Sequence, residues 1–544
     1  MSRRQIRSTM FLLLLSFWTS SCGQAGERGA WIGKVDPPES PVLRVAGGED
    51  PTGLDPTRYS DQDSWRVARM LFEGLLAYTS DAEIEPGVAE RWTVNDDATI
   101  YTFHLREDAR WSDGSRVTAS DFVFSWQRVL DPAFGAETAE NLYPIKGARA
   151  INEGLAPPGS LAVVARSDIL LEVQLEYPDP DFPSRTALPP LFPVPEASVS
   201  GSRLTWPEGD TPVGNGPFVL SQWRLNDRLE VERNPWYWNR EAVMLEGVTL
   251  FLRNDPSTNH NLYLTGAVDW TTVNAIPTDL AKEYLEAGRQ ELHVSTVFQT
   301  YYLELNTNRP PLDDLRIRRA LELVVPREEI AGSLFGTGQI PSRHFVSADL
   351  PDWDPPVIAE GDLDMARRLL AEAGYPGGEG LPDLIYLYNI LGPHGDVAEY
   401  LQGVWQRELG ITVDLAPMDF QSMLERSDRG DFDFARSGWL ADLPSPISFL
   451  EVFEKGNPNN PTGWSDTQFD LLLEQARRTP DRQQRYVLLA TAEERLLADV
   501  PIIPILQNAN VQLIKPYVTG LRPNALDVVG WTGVRIETDW ISPW

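Results

Sequence analysis

Reactive chemistry is scarce in this chain, and one short segment stands apart: Arg436-Ser437-Gly438-Trp439-Leu440-Ala441-Asp442. A carboxylate set in an apolar, aromatic run is expensive to bury unless a cation comes to it. Asp442 therefore reads as a cap for a positively charged group. Nothing else demands catalysis. There is no Gly-rich phosphate loop, no Gly-x-Ser-x-Gly elbow and no His-Glu-x-x-His. His104, His260, His293, His344 and His394 have no metal-ligand spacing. Paired acids such as Asp96-Asp97 and Asp313-Asp314 read as solvated surface. The expectation is a protein that is not an enzyme and uses no metal or cofactor.

The elements that must position this segment belong to a large, acidic body. Forty-seven Lys and Arg against 79 Asp and Glu give a net charge of −32, which argues against nucleic acid as a partner. A single cysteine in 544 residues allows no internal disulfide, so stability rests on core burial. That cysteine, Cys22, follows a basic n-region (Arg3, Arg4, Arg7), a short apolar core (Met10 to Trp18) and the small residues Thr19-Ser20-Ser21. Residues 1–22 thus read as a lipoprotein signal with Cys22 as the acylated residue, although Thr19 stands where a lipobox has Leu. The apolar core is too short to span a bilayer. Residues 23–41 read as a tether.

Alternation in Tyr101, Phe103, Leu105 and in Leu171, Val173, Leu175 predicts half-buried strands. Helical spacing places Leu363, Ala366, Leu370 and Ala373 on one face, closed by Gly374 and Pro376. Further helices run through Val397, Leu401 and Trp405 to Gly410, and through Tyr486, Leu489 and Leu496 to Pro501. The Pro-rich stretch from Pro178 to Pro212 reads as a surface crossing between lobes. The class is mixed α/β.

A series of motifs carries a family resemblance. Leu54-Asp55-Pro56, Leu71-Phe72-Glu73-Gly74-Leu75 and Tyr101-Thr102-Phe103-His104-Leu105-Arg106 open it. Trp111-Ser112-Asp113-Gly114, Gly214-Asn215-Gly216-Pro217-Phe218 and Asn234-Pro235-Trp236-Tyr237-Trp238 follow. Leu305-Asn306-Thr307, Arg316-Ile317-Arg318-Arg319-Ala320-Leu321 and Leu369-Leu370-Ala371-Glu372-Ala373-Gly374-Tyr375 complete it. In this order they resemble the bacterial extracellular solute-binding proteins of the dipeptide/oligopeptide class (family 5), and within it the oligopeptide-binding members. Most of the motifs read as scaffold turns rather than as the site.

The resemblance implies a periplasmic-binding-protein-like α/β fold with two large lobes, a hinge and an extra smaller lobe. It places lobe I in residues 42–72, 200–298 and 507–544, the smaller lobe in 73–199 and lobe II in 299–506, with hinge crossings near 298 and 506. By the same resemblance Asp442 pairs with a peptide's α-ammonium, Trp439 lines a side-chain pocket and Gly438 offers backbone. Arg436 and His394 receive a carboxylate, while the family's lysine position holds Phe335. Tyr302, Phe420 and Asn274 are the remaining expected lining residues. The family's tyrosines are missing near Thr272 and from Ile505-Leu506-Gln507-Asn508, so the pocket is remodelled.

The function implied is that of the extracytoplasmic, lipid-anchored substrate-binding component of a peptide ABC importer in the periplasm or cell envelope. Its partners would be a peptide ligand, the permease and ATPase subunits, and a lipid anchor. Alternatives are a same-fold binder of a sugar, opine or metal chelate, an exported glycoside hydrolase, or a chaperone or receptor without an importer.

Overall fold

The computed structural model describes residues 31–199, 212–272, 275–358, 360–390, 392–457 and 459–543. The signal with Cys22, tether residues 23–30 and Asn274 lie outside the described residues. Residues 31–34, expected within the tether, are docked on the body. Ile32 is buried, its N–H donates to Glu291 Oε2 at 2.8 Å, and its carbonyl accepts from Lys515 Nζ at 2.8 Å.

Three main sheets organise the chain. The first has the order Trp270–Thr271, Val42–Ala46, Gly247–Phe251, Arg228–Arg233, Phe218–Arg224. A four-stranded antiparallel sheet comes from the early chain: Ala89–Val94, Ile100–Leu105, Leu170–Gln174 and Val163–Ser167. Tyr101, Phe103 and Leu105 are buried while their neighbours are not, as the alternation predicts. The third sheet runs Ile340–Pro341, Ile502–Leu513, Leu292–Leu305, Phe434–Leu440, Leu384–Asn389, Val413–Met418.

Two long strands tie separate cores together. Leu292–Leu305 and Ile502–Leu513 pair antiparallel from Leu292↔Leu513 to Glu304↔Ile502. At one end Val511 and Leu513 pack with Ile32, Ala46, Tyr263 and Val268. At the other, Tyr301, Leu303, Leu305, Ile503 and Ile505 pack with Trp405 and Phe434. Between these ends the ladder breaks from Thr296 to Thr300, where Phe298 N–H instead donates to Ala525. A broken ladder bends more readily than a continuous one.

Local chemistry explains the recurring motifs. Asn215 clamps Glu73, accepting its N–H at 3.0 Å and donating to its carbonyl at 2.9 Å. Gly216 sits so close to the end of helix Gln62–Leu71 that a Cβ would lie 2.6 Å from Phe72 N. Helices form at Leu363–Glu372, His394–Leu409 and Arg482–Asp499, each where helical spacing predicts one. The Pro-rich stretch is different. Its described part buries Phe182, Leu188, Leu191, Phe192 and Val194, and the Leu191 carbonyl accepts from Trp126 Nε1. Short helical turns begun by proline fold these apolar side chains inward, so this is core and not a surface crossing.

Helix Arg482–Asp499 carries a buried acid, Glu493, whose Oε1 accepts from Phe345 N and Val346 N at 2.8 Å each. Burial pushes its carboxyl up to about 8. A carboxyl raised in the fold stabilises the protein below its unfolded value near 4.5, and that contribution is lost as pH rises toward 8. Glu493→Gln keeps the acceptor without the titration. Its unfolding free energy should exceed that of wild type by roughly 2–4 kcal/mol at pH 8 and by much less at pH 5. Denaturant unfolding at both values checks this; a pH-independent difference refutes it.

Candidate functional site

Strand Phe434–Leu440 is the centre of the site because its two edges differ. One edge pairs along its whole length with Leu292–Leu305, from Gln299↔Leu440 to Leu305↔Phe434. The other pairs with Leu384–Asn389 only at Tyr386↔Phe434 and Leu387↔Ala435. Residues 436–440 therefore present a strand edge with no sheet partner, and their side chains are only half-buried. Strands Leu384–Asn389, Val413–Met418 and Phe434–Leu440 are parallel, so their carboxyl ends share one side of the sheet. Open α/β sheets bind ligands at that side. Helices begin there at His394 and Phe420, and Asp442 follows the third strand.

Asp442 is anchored by its backbone, which donates to Ser448 Oγ at 3.0 Å. Trp439 Nε1 donates to the Ser448 carbonyl at 2.7 Å, fixing the ring beside it. The carboxylate of Asp442 has no ion pair among the described residues. Burial, with Glu451 nearby, pushes it up to about 6 against the opposing pull of Arg185 and Arg69. It lines a small cavity with Gln62, Trp65, Arg69, Tyr78 and Val528, so three distant stretches of chain meet around it.

Arg436 makes the other end. Its guanidinium lies 5.2 Å from the Tyr301 ring, which stacks on His394 at 5.5 Å and meets Phe335 edge-on at 5.5 Å. Arg436 Nε, His394 Nδ1 and the hydroxyls of Tyr301 and Tyr386 are all buried without a hydrogen-bond partner. The two hydroxyls and the guanidinium act on one another, so the cluster is a set of convergent polar groups. No carboxylate pairs with Arg436 among the described residues. Burial, assisted by the Arg436 charge, pulls His394 down to about 3, so the imidazole is neutral. Within this ring cluster the positive charge is that of Arg436.

The expected residues divide. Asp442, Trp439, Gly438, Arg436 and His394 gather along or beside the open edge. Tyr302 does not join Arg436 and His394, and shares with Trp439 the face of the sheet opposite to Arg436. It pairs with Ser437, one position off the Leu303↔Arg436 pair, and so faces the opposite side, packed 5.1 Å from Phe345. A one-residue step along a strand reverses the face, and Tyr301 takes the place by Arg436. Phe420 is half exposed at the first turn of its helix, outside both clusters. Sequence reasoning missed Tyr301, Tyr386 and Arg69. Alternation with Tyr388-Asn389 marks Tyr386 as sharing a strand face, whereas no local pattern marks Arg69.

The neutral state of His394 is testable directly. Its imidazole nitrogen shifts should stay unchanged between pH 5 and 8 in ¹⁵N NMR. A titration midpoint near 6.5, the ordinary value, would show that the cluster is open to water.

The profile of the "Bacterial extracellular solute-binding proteins, family 5 Middle" matches residues 83–461. The chain is 35% identical over 491 residues to the periplasmic oligopeptide-binding protein OppA of Escherichia coli, covering 89% of this chain and 90% of that protein. The solved structure of the Escherichia coli murein tripeptide binding protein MppA superposes with a TM-score of 0.81 at 32% identity, over 92% of this chain and 99% of that one. Haemophilus influenzae OppA, in complex with RPPGFSPFR, gives 0.79 at 30% identity, over 92% and 100%. With its family motifs in order and its fold matched over nearly the whole length, the chain belongs to the bacterial extracellular solute-binding proteins, family 5.

Proposed function

We propose that the protein captures peptides for an ABC importer. The observation that carries this is the open strand edge of residues 436–440 with an unpaired carboxylate, Asp442, beyond one end and an unpaired guanidinium, Arg436, at the other. An extended peptide has the complementary form: a backbone edge, a cationic amino end and an anionic carboxyl end. Strand addition supplies affinity through main-chain hydrogen bonds that are indifferent to sequence. With ~3.4 Å per residue, the distance from Arg436 to Asp442 is about 20 Å or less, which suits short peptides. The oligopeptide-binding and tripeptide-binding relatives support the same ligand class.

In this reading residues 292–305 and 502–513 form the hinge crossings, and closure of the lobes carries Asp442 and Trp439 over the ligand. The loaded form then docks on a permease served by an ATPase. The protein works outside the cytoplasm, as its periplasmic relatives do, held by an acyl anchor on Cys22. Cys22→Ser should move the protein from the membrane to the soluble fraction. Wild-type protein already found soluble, with a mature start elsewhere, counts against the anchor.

The central test is the amino-end pair. Breaking a buried ion pair from one side costs ~3–5 kcal/mol, so Asp442→Asn should weaken peptide binding by roughly 10²–10³-fold. N-acetylated peptides should bind wild type poorly and lose little more in the variant. Because only ionised Asp442 attracts the ammonium, affinity should be full above pH 6 and fall as pH drops below it, by up to ~10-fold per unit. Calorimetry measures all three. Equal affinity of wild type for free and acetylated peptide sinks the assignment.

A further inference from the structure

Arg69 is a cation that the fold leaves without an anion. It lies in the last turn of helix Gln62–Leu71, its guanidinium carbon over the Trp65 ring, 5.4 Å from the centroid. Its Nε is buried with no hydrogen-bond partner, and no ion pair reaches it among the described residues. The helix dipole favours a cation here, but that does not satisfy an orphaned N–H. Of its acidic neighbours, Asp527 is engaged by Arg66 at 3.3 Å, and Asp442 carries the unpaired carboxylate of the amino-end site.

Two cavities share this side chain. Arg69, Tyr78 and Val528 line both the small cavity of Asp442 and a larger one of about 80 Å³. The larger cavity is walled also by Trp531, whose Nε1 is a second buried donor without an acceptor. Its acid Glu73 is already occupied, since Tyr237 OH and Trp238 Nε1 donate to its two oxygens. Glu85, half-buried, is the other carboxyl on the wall. Orphaned donors beside vacant space call for an acceptor group. Glu140, Glu451 and Arg185 also act around Asp442, and Asp527 acts on Arg69, so acids and arginines interleave about the anchor.

We propose that Arg69 is a specificity-determining residue that receives the side-chain carboxylate of an acidic first residue, while Asp442 holds that residue's ammonium. The pocket is thereby matched to a ligand beginning with Glu, whose side chain points from the anchor into the larger cavity. This rests on the peptide reading above.

Calorimetry with Glu-Ala-Ala-Ala, Gln-Ala-Ala-Ala and tetra-alanine on wild type, Arg69→Gln and Arg69→Lys decides it. Wild type should prefer the Glu peptide to its Gln isostere by about tenfold or more, as expected for a charge-assisted bond lost in a buried site. In Arg69→Gln that ratio should collapse to within about twofold, and Arg69→Lys should keep part of it. The ratio is taken within one protein, so a partly folded variant does not distort it. Equal binding of the two peptides by wild type, or a preference that survives Arg69→Gln, overturns the inference, and tetra-alanine binding then shows that the peptide reading still stands. Failure of all three peptides to bind wild type removes both.

Discussion

A strand edge in a protein must end in a partner, and residues 436–440 end in none. Backbone N–H and C=O groups left without hydrogen bonds in a partly buried place are costly. The structure keeps them available by holding the other edge of the same strand firmly. Leu292–Leu305 pairs with it throughout, and Ile502–Leu513 pairs in turn with Leu292–Leu305. The neighbour Leu384–Asn389 diverges after two paired positions, and that divergence opens the site.

Charge is arranged on the same principle. Most buried arginines in this chain are engaged: Arg128 with Asp55, Arg185 with Asp179, Arg327 with Glu322. Half-buried Arg436 and Arg69 make no ion pair among the described residues, and the Nε of each is buried without a partner. A partly buried cation without a partner costs the free protein some stability, which favours a ligand that pairs with it. The two long strands run past this region, and their ladder is broken from Thr296 to Thr300 beside the open edge. In the proposed reading, ligand binding and lobe closure would be coupled through this one piece of sheet.

The net charge of −32 has a structural share as well. Asp61, Asp255, Asp314, Asp362, Asp419, Asp466 and Asp481 each accept a backbone N–H at a helix start. Asp314, read as surface acid, is one of them. Such caps contribute about 1 kcal/mol each, so part of the acidity serves the fold rather than a partner.

Where a feature is local, the residues alone determined it. Strands Ile100–Leu105 and Leu170–Gln174 follow from alternation, and helices Leu363–Glu372 and His394–Leu409 from 3.6-residue spacing and their glycine ends. Arg436 and Asp442 were singled out together because both belong to one short segment that resembles the family's. The inward turn of the Pro-rich stretch and the docking of Ile32 on Glu291 were not, because they depend on surfaces supplied from far away in sequence. The choice of Tyr301 over Tyr302 turns on the register between two strands more than 130 residues apart, Leu303 opposite Arg436. Arg69 reaches Asp442 only because the end of one helix, a segment near the C-terminus and the open strand meet at a single cavity. Periodicity and spacing encode what a residue does to its own element; which elements face each other is decided when the cores close.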